Sequence, residues 1–154
     1  MVLCWSMTLL RMDNVLIVVE DLEGVKAFFL DLGMELVGET QVEGEAVDRT
    51  VGLEGVRADI AMLRTPDGHG QVELTRYLSP PAIRLEPAIA PSNALGLRRI
   101  MFAVEGIDEV VERLRRNHGA ELMGGEIAQY EDTYRLCFVR GPEGLIVGLA
   151  EELG

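Results

Sequence analysis

Few side chains in this chain are equipped to make or break bonds, and those few are scattered. Cys4 and Cys137 lie far apart and form neither a CxxC pair nor a Cys/His ligand pattern, so they read as reduced thiols. No base is placed beside either, which leaves nucleophilic catalysis by sulfur unsupported. His69 falls in the turn Pro66–Gly70 and His118 at the end of a helical stretch. A lone histidine in such places is a solvated or capping group more often than a ligand. There is no Gly-rich phosphate loop with a lysine, no GxSxG elbow and no HExxH helix. Groups suited to binding are easier to find. Asp48-Arg49 precedes an apolar strand, and Tyr130, Tyr134 and Arg135 surround the turn Glu131-Asp132. Tyrosines amid acids can hydrogen-bond a polar ligand; the alternative is half-buried packing with a wet hydroxyl.

Composition bounds the class of protein that must position these groups. The chain has 154 residues, 48% of them hydrophobic and 26% charged, which suits one ordered domain spanning 1–154. Net charge is −12, and Lys26 is the only lysine. Such a surface repels phosphate backbones and anionic lipids, so neither nucleic acid nor a membrane is expected as partner. Met1–Leu10 lacks the basic start and long apolar centre of a leader, and no apolar run is long enough to span a bilayer. A cytoplasmic location is expected.

The chain repeats itself, and the repeat predicts the fold. Val15–Glu20 (V-L-I-V-V-E) and Ile100–Glu105 (I-M-F-A-V-E) are apolar runs suited to buried strands. Each leads into a helical stretch opened by acids, with Leu22, Val25, Phe28, Phe29 and Leu32 at helical spacing in one copy and Ile107, Val110, Val111 and Leu114 in the other. Gly33-Met34-Glu35-Leu36-Val37-Gly38 is answered by Gly119-Ala120-Glu121-Leu122-Met123-Gly124. The apolar strands Ile60–Arg64 and Leu136–Arg140 then run into the turns Pro66-Asp67-Gly68 and Pro142-Glu143-Gly144, and the strands Gln71–Tyr77 and Leu145–Ala150 follow. The spacing predicts two βαβββ modules, 12–77 and 96–153, joined by a Pro- and Ala-rich linker at 78–95.

These motifs, in this order, resemble the glyoxalase, bleomycin-resistance and extradiol dioxygenase (vicinal oxygen chelate) superfamily. The resemblance covers nearly everything from Met12 to Leu153 and implies an α+β fold in which two curled mixed sheets enclose a cleft. It also implies four positions where catalytic members hold a divalent metal. The first falls in Met12-Asp13-Asn14-Val15, where Asn14 replaces the usual His; the second, in Val72-Glu73-Leu74, keeps Glu73. The third, in Gly96-Leu97-Arg98-Arg99-Ile100, has Arg99 for His, and the fourth, in Val147-Gly148-Leu149, has Gly148 for Glu. One carboxylate beside an amide and a permanent cation will not hold a divalent ion, so neither a metal nor any other cofactor is expected.

Strand parity from these positions places Asn14, Leu16, Glu73, Thr75, Arg99, Met101 and Gly148 on the cleft walls, with Arg49, Tyr130 and Tyr134 at the rim. Arg99 is expected to fill the space of the lost cation and pair with Glu73. Gly148 is expected to leave room at the centre. Three functions follow. The first is a protein that binds a small molecule in a metal-free cleft, similar to the bleomycin-resistance branch. The second is a metal-independent lyase or isomerase with Glu73 as base and Arg99 stabilising an oxyanion. The third, a metal-dependent glyoxalase or dioxygenase, fits the ligand positions worst. Members of the family it resembles often form homodimers, with modules paired within or between chains. The 78–95 linker permits either arrangement, and the sequence leaves the oligomeric state open.

Overall fold

The apolar run after Asn14 becomes strand β1 (Val15–Val18), and the acidic residues beyond it open helix α1 (Leu22–Leu32). Asp21 caps that helix: its carboxylate accepts from the N–H of Gly24 at 3.0 Å, satisfying a donor that the first turn leaves free. This computed structural model describes residues 8–154, so Cys4 and most of Met1–Leu10 lie outside the described residues. The chain continues through β2 (Glu35–Glu43), a short helix α2 (Glu45–Val51), β3 (Arg57–Arg64) and β4 (Gln71–Ser79). The second half supplies β5 (Arg99–Ala103), α3 (Ile107–His118), β6 (Glu121–Leu122), β7 (Ala128–Tyr130), β8 (Tyr134–Arg140), a 3-10 turn at Pro142–Gly144, and β9 (Ile146–Glu152).

Two mixed sheets result, as the duplicated pattern predicts. The first runs β1-β4-β3-β2 and the second β5-β9-β8-β6, with β7 also paired to β8. In each, the opening strand is parallel to the last one, while the other pairings are antiparallel. The duplication extends to register: Leu16 lies beside Glu73, and Met101 lies beside Gly148. One element departs from expectation. Asp48 and Arg49 do not lead directly into a strand but sit on α2. The Asp48 carboxylate accepts from the N–H groups of Gly55 (3.0 Å) and Val56 (2.9 Å), which folds the chain back before β3.

One buried cluster serves both halves. Leu22, Val25, Phe28, Phe29 and Leu32 of α1 share it with Ile107, Val110, Val111 and Leu114 of α3. Each such side chain, fully buried, contributes about 1.5–3 kcal/mol. The halves meet chiefly helix to helix. Phe28 stands edge-on to His118, with centroids 5.6 Å apart, and its ring tip presses on Gly141, where a Cβ would lie only 2.8 Å from Cζ. Asp31 on α1 accepts from Asn117 Nδ2 at 2.8 Å and meets His118 Nε2 at 3.0 Å, both at the end of α3. Glu143 reaches back from the 3-10 turn to accept from the N–H groups of Glu20 and Asp21 at 2.8 and 2.9 Å.

The connection between the sheets is tied to both. β4 runs to Ser79, into the segment expected as linker. Arg84 then forks onto Glu20 at 2.9 and 2.5 Å, and Arg140 donates to the carbonyl of Ala90 at 3.1 Å. No helix among the described residues is long and apolar enough to cross a membrane.

Candidate functional site

Side chains alternate along each strand, so every sheet has one face against its helix and one face turned away. Val72, Leu74, Ala61 and Leu63 of the first sheet are buried against α1. The alternate residues form its other face in two rungs: Leu16, Glu73 and Met62 side by side, then Val18, Thr75 and Ile60. The second sheet repeats this. Cys137, Val139, Val147 and Leu149 are buried in the core, while the other face has the rungs Arg99–Ile146–Arg140, Met101–Gly148–Phe138 and Ala103–Ala150–Leu136.

The polar groups on these faces have definite partners. Thr75, only 3% exposed, donates its hydroxyl to Glu73 Oε2 at 3.0 Å, which orients the carboxylate on an otherwise apolar wall. Asn14 precedes β1 and donates to Asp13 at 3.2 Å. The Arg99 guanidinium lies over the Phe138 ring, 4.2 Å from its centroid. That stacking covers one face of the planar group, and its edge donors make no side-chain hydrogen bond among the described residues.

Two expectations about the centre are overturned. Arg99 and Glu73 form no ion pair: Glu73 takes the Thr75 hydroxyl and Arg99 rests on Phe138. The physical reason is the joint between the halves, which runs through α1 and α3 and does not press the two open faces together within one chain. Nor does Gly148 leave a void. A Cβ there would overlap the Met101 thioether and stand 3.3 Å from Phe138 Cδ1, so the space belongs to Met101. At the rim, Tyr130 and Tyr134 pair across the β7–β8 hairpin and stack with centroids 5.1 Å apart. Tyr134 shares its face with Leu136 and Phe138. Arg49 is exposed on α2 near Glu45, at 3.8 Å.

Phe138, Met62, Ile60 and Arg140 are missing from the sequence-derived set. Counting strand parity back from Gly148 through the Pro142–Gly144 turn would have found Phe138. Burial also decides a negative: Cys137 lies in the core, and burial pushes its thiol up to about 11, so it is no nucleophile at neutral pH.

The residues at the four metal positions do not fit a divalent ion. Glu73 is one carboxylate, Asn14 offers only a neutral amide oxygen, Arg99 is cationic, and Gly148 brings no side-chain donor. Among the described residues, no group of three or more His, Cys, Asp and Glu side chains is placed to hold a metal.

Comparison with known proteins agrees with this architecture. The sequence model of the Glyoxalase/Bleomycin resistance protein/Dioxygenase superfamily matches residues 13–138, and the chain belongs to that superfamily. A glyoxalase family protein from Bacillus cereus is 54% identical, superposes with a TM-score of 0.90, and is matched over 96% of this chain and 97% of its own. A glyoxalase I variant from Zea mays is 18% identical with a TM-score of 0.67; 94% of this chain covers 46% of that one. A genomically encoded fosfomycin resistance protein from Listeria monocytogenes, bound to Mn(II) and 1S,2S-dihydroxypropylphosphonic acid, is 12% identical with a TM-score of 0.58 over 94% of each chain. The last two likenesses are of fold. No curated protein matches the chain.

Proposed function

We propose that this protein binds a small organic molecule between its sheet faces, without metal catalysis, and that a second copy of the chain closes the site. The observation that carries the reading is what replaces the metal ligands of the second sheet. A guanidinium stacked on Phe138 stands at one position, and the Met101 thioether fills the space at the other. What remains is an apolar wall with a few oriented polar groups, the character of a small-molecule site. Leu16, Val18 and Met101 are 47%, 48% and 46% exposed on β1 and β5, the edge strands of their sheets. Apolar side chains grouped on an unpaired edge are protected by a partner, and an identical chain supplies a complementary one. A cytoplasmic setting would keep Cys137 reduced. The metal-free lyase reading needs Glu73 and Arg99 on one substrate, and within a single chain they hold different partners.

Native mass spectrometry of the purified protein tests this. The expected result is a dimer carrying an organic adduct or accepting one from an added compound set. A monomer that takes up no compound contradicts it.

A further inference from the structure

We propose that the ligand is an organic anion, a carboxylate or its phosphonate analogue on an apolar body, with its charged group held at the edge of the Arg99 guanidinium. This deepens the small-molecule reading above and rests on it.

The argument starts from how this acidic chain disposes of its cations. Most of its arginines sit against a carboxylate, on strands and helices alike. With 26 acidic residues against 14 basic ones, that is the default outcome for an exposed guanidinium. Arg99 departs from it. Its neighbours across the sheet are Ile146 and, beyond it on the same rung, Arg140, which donates to the carbonyls of Gly144 and Ala90 at 2.9 and 3.1 Å. The next rung is Met101, Gly148 and Phe138. The backbone positions of Arg99 and Arg140 therefore share one rung, two strand spacings or about 10 Å apart, with Ile146 between them and Glu121 on the far side of Arg140. A carboxylate beside Arg99 would be the ordinary way to settle its charge, and among the described residues none forms an ion pair with it, whereas Arg140 has Glu121 opposite it on β6.

The geometry points to what would settle the charge instead. Phe138 fixes the plane of the Arg99 guanidinium at 4.2 Å, so its ordering cost is met before any ligand arrives. An oriented fork of donors matches the two oxygens of a carboxylate or phosphonate. The surface running away from it is apolar, through Met101 and then Ala103, Ala150 and Leu136. A cationic ligand, which the net charge of the whole chain would attract, meets like charge at this rung. Long-range attraction raises encounter rate, but contact at the rung decides what stays bound.

Fluorine NMR titration with 4-fluorobenzoate and its neutral isostere 4-fluorobenzamide tests the assignment on the wild-type protein and on Arg99→Gln. The wild type is expected to prefer the acid by roughly tenfold or more, the equivalent of one charge-assisted hydrogen-bonded pair. In Arg99→Gln that preference collapses to about one, and Arg99→Lys restores part of it as a point charge without the fork. If the wild type binds the amide as tightly as the acid, or Arg99→Gln keeps the preference, the assignment falls while the small-molecule site stands. If neither probe binds at millimolar concentration, both readings fall.

Discussion

Met101 and Gly148 lie side by side on adjacent parallel strands, and the methionine thioether occupies the volume that any side chain at position 148 would need. The two residues are one packing unit. An absent carboxylate is thereby replaced by sulfur, not by space. Such a unit is expected to show non-additive energetics. Met101→Ala alone should lose apolar contact, and Gly148→Ala alone should force the thioether outward, each costing about 1 kcal/mol. The double variant should cost less than the sum by 0.5 kcal/mol or more, a coupling of roughly the size contacting residues show. Urea unfolding of the four proteins measures it, and additive losses would mean that the two side chains do not compete for one space.

Glu143 bridges the halves through main-chain groups. It holds a positive φ of 57° while its carboxylate accepts from Glu20 and Asp21. Glu143→Ala should therefore destabilise by about 1 kcal/mol, because two solvent-exposed N–H donors lose their anionic acceptor to water. Glu143→Gly loses the same bonds but relieves the left-handed backbone, so it should be about 1 kcal/mol less damaging than the alanine variant. Thermal or urea unfolding that ranks alanine above glycine would refute this account.

Asp31 ties α1 to α3 and makes that joint acid-sensitive. The Asn117 hydrogen bond first, then His118 and Arg113, holds its carboxyl below the usual carboxylate range against a partial opposing effect of burial. A depressed folded-state pKa contributes stability above the unfolded value of about 4, and the contribution is lost as pH falls through the folded value. Wild-type stability should thus fall on acidification through and below about pH 4, and Asp31→Asn should flatten that limb while being less stable at neutral pH. Parallel acid limbs in the two proteins would remove Asp31 from the explanation.

Much of the fold was legible because its signals are local. Apolar runs such as Val15–Val18, acid-opened helices and the paired glycines at 33 and 119 repeat at matching intervals. The α2 helix escaped because Glu45–Val51 buries no residue and so carries no amphipathic stripe. Side-chain parity put Glu73, Thr75, Arg99 and Met101 on the open faces, since alternation is a property of the strand itself. The partners were not legible. The Arg99–Phe138 stack depends on register across three strands, and the missing Arg99–Glu73 pair depends on a helix joint set by Phe28, Asp31, His118 and Gly141. The joint contacts link residues about a hundred positions apart and the stack links separate strands, which no local pattern encodes.

Cys137 gives a simple check on the core. With its thiol buried and pushed up to about 11, it should resist iodoacetamide in the folded state and react only on unfolding. Mass spectrometry of a Cys4→Ser variant, labelled with and without denaturant, reads this directly. Rapid native labelling would show that β8 and β9 open far more readily than their packing implies.

The proposal that the site works without metal is tested most directly by calorimetric titration of chelator-treated protein with Zn(II), Mn(II) and Ni(II). One carboxylate and a stacked arginine should give no saturable binding at concentrations up to about 100 μM, and no rise in Tm through ligand linkage. One equivalent of metal bound at low micromolar Kd, and lost in Glu73→Gln, would contradict the account and return this protein to the metal-dependent branch of its superfamily.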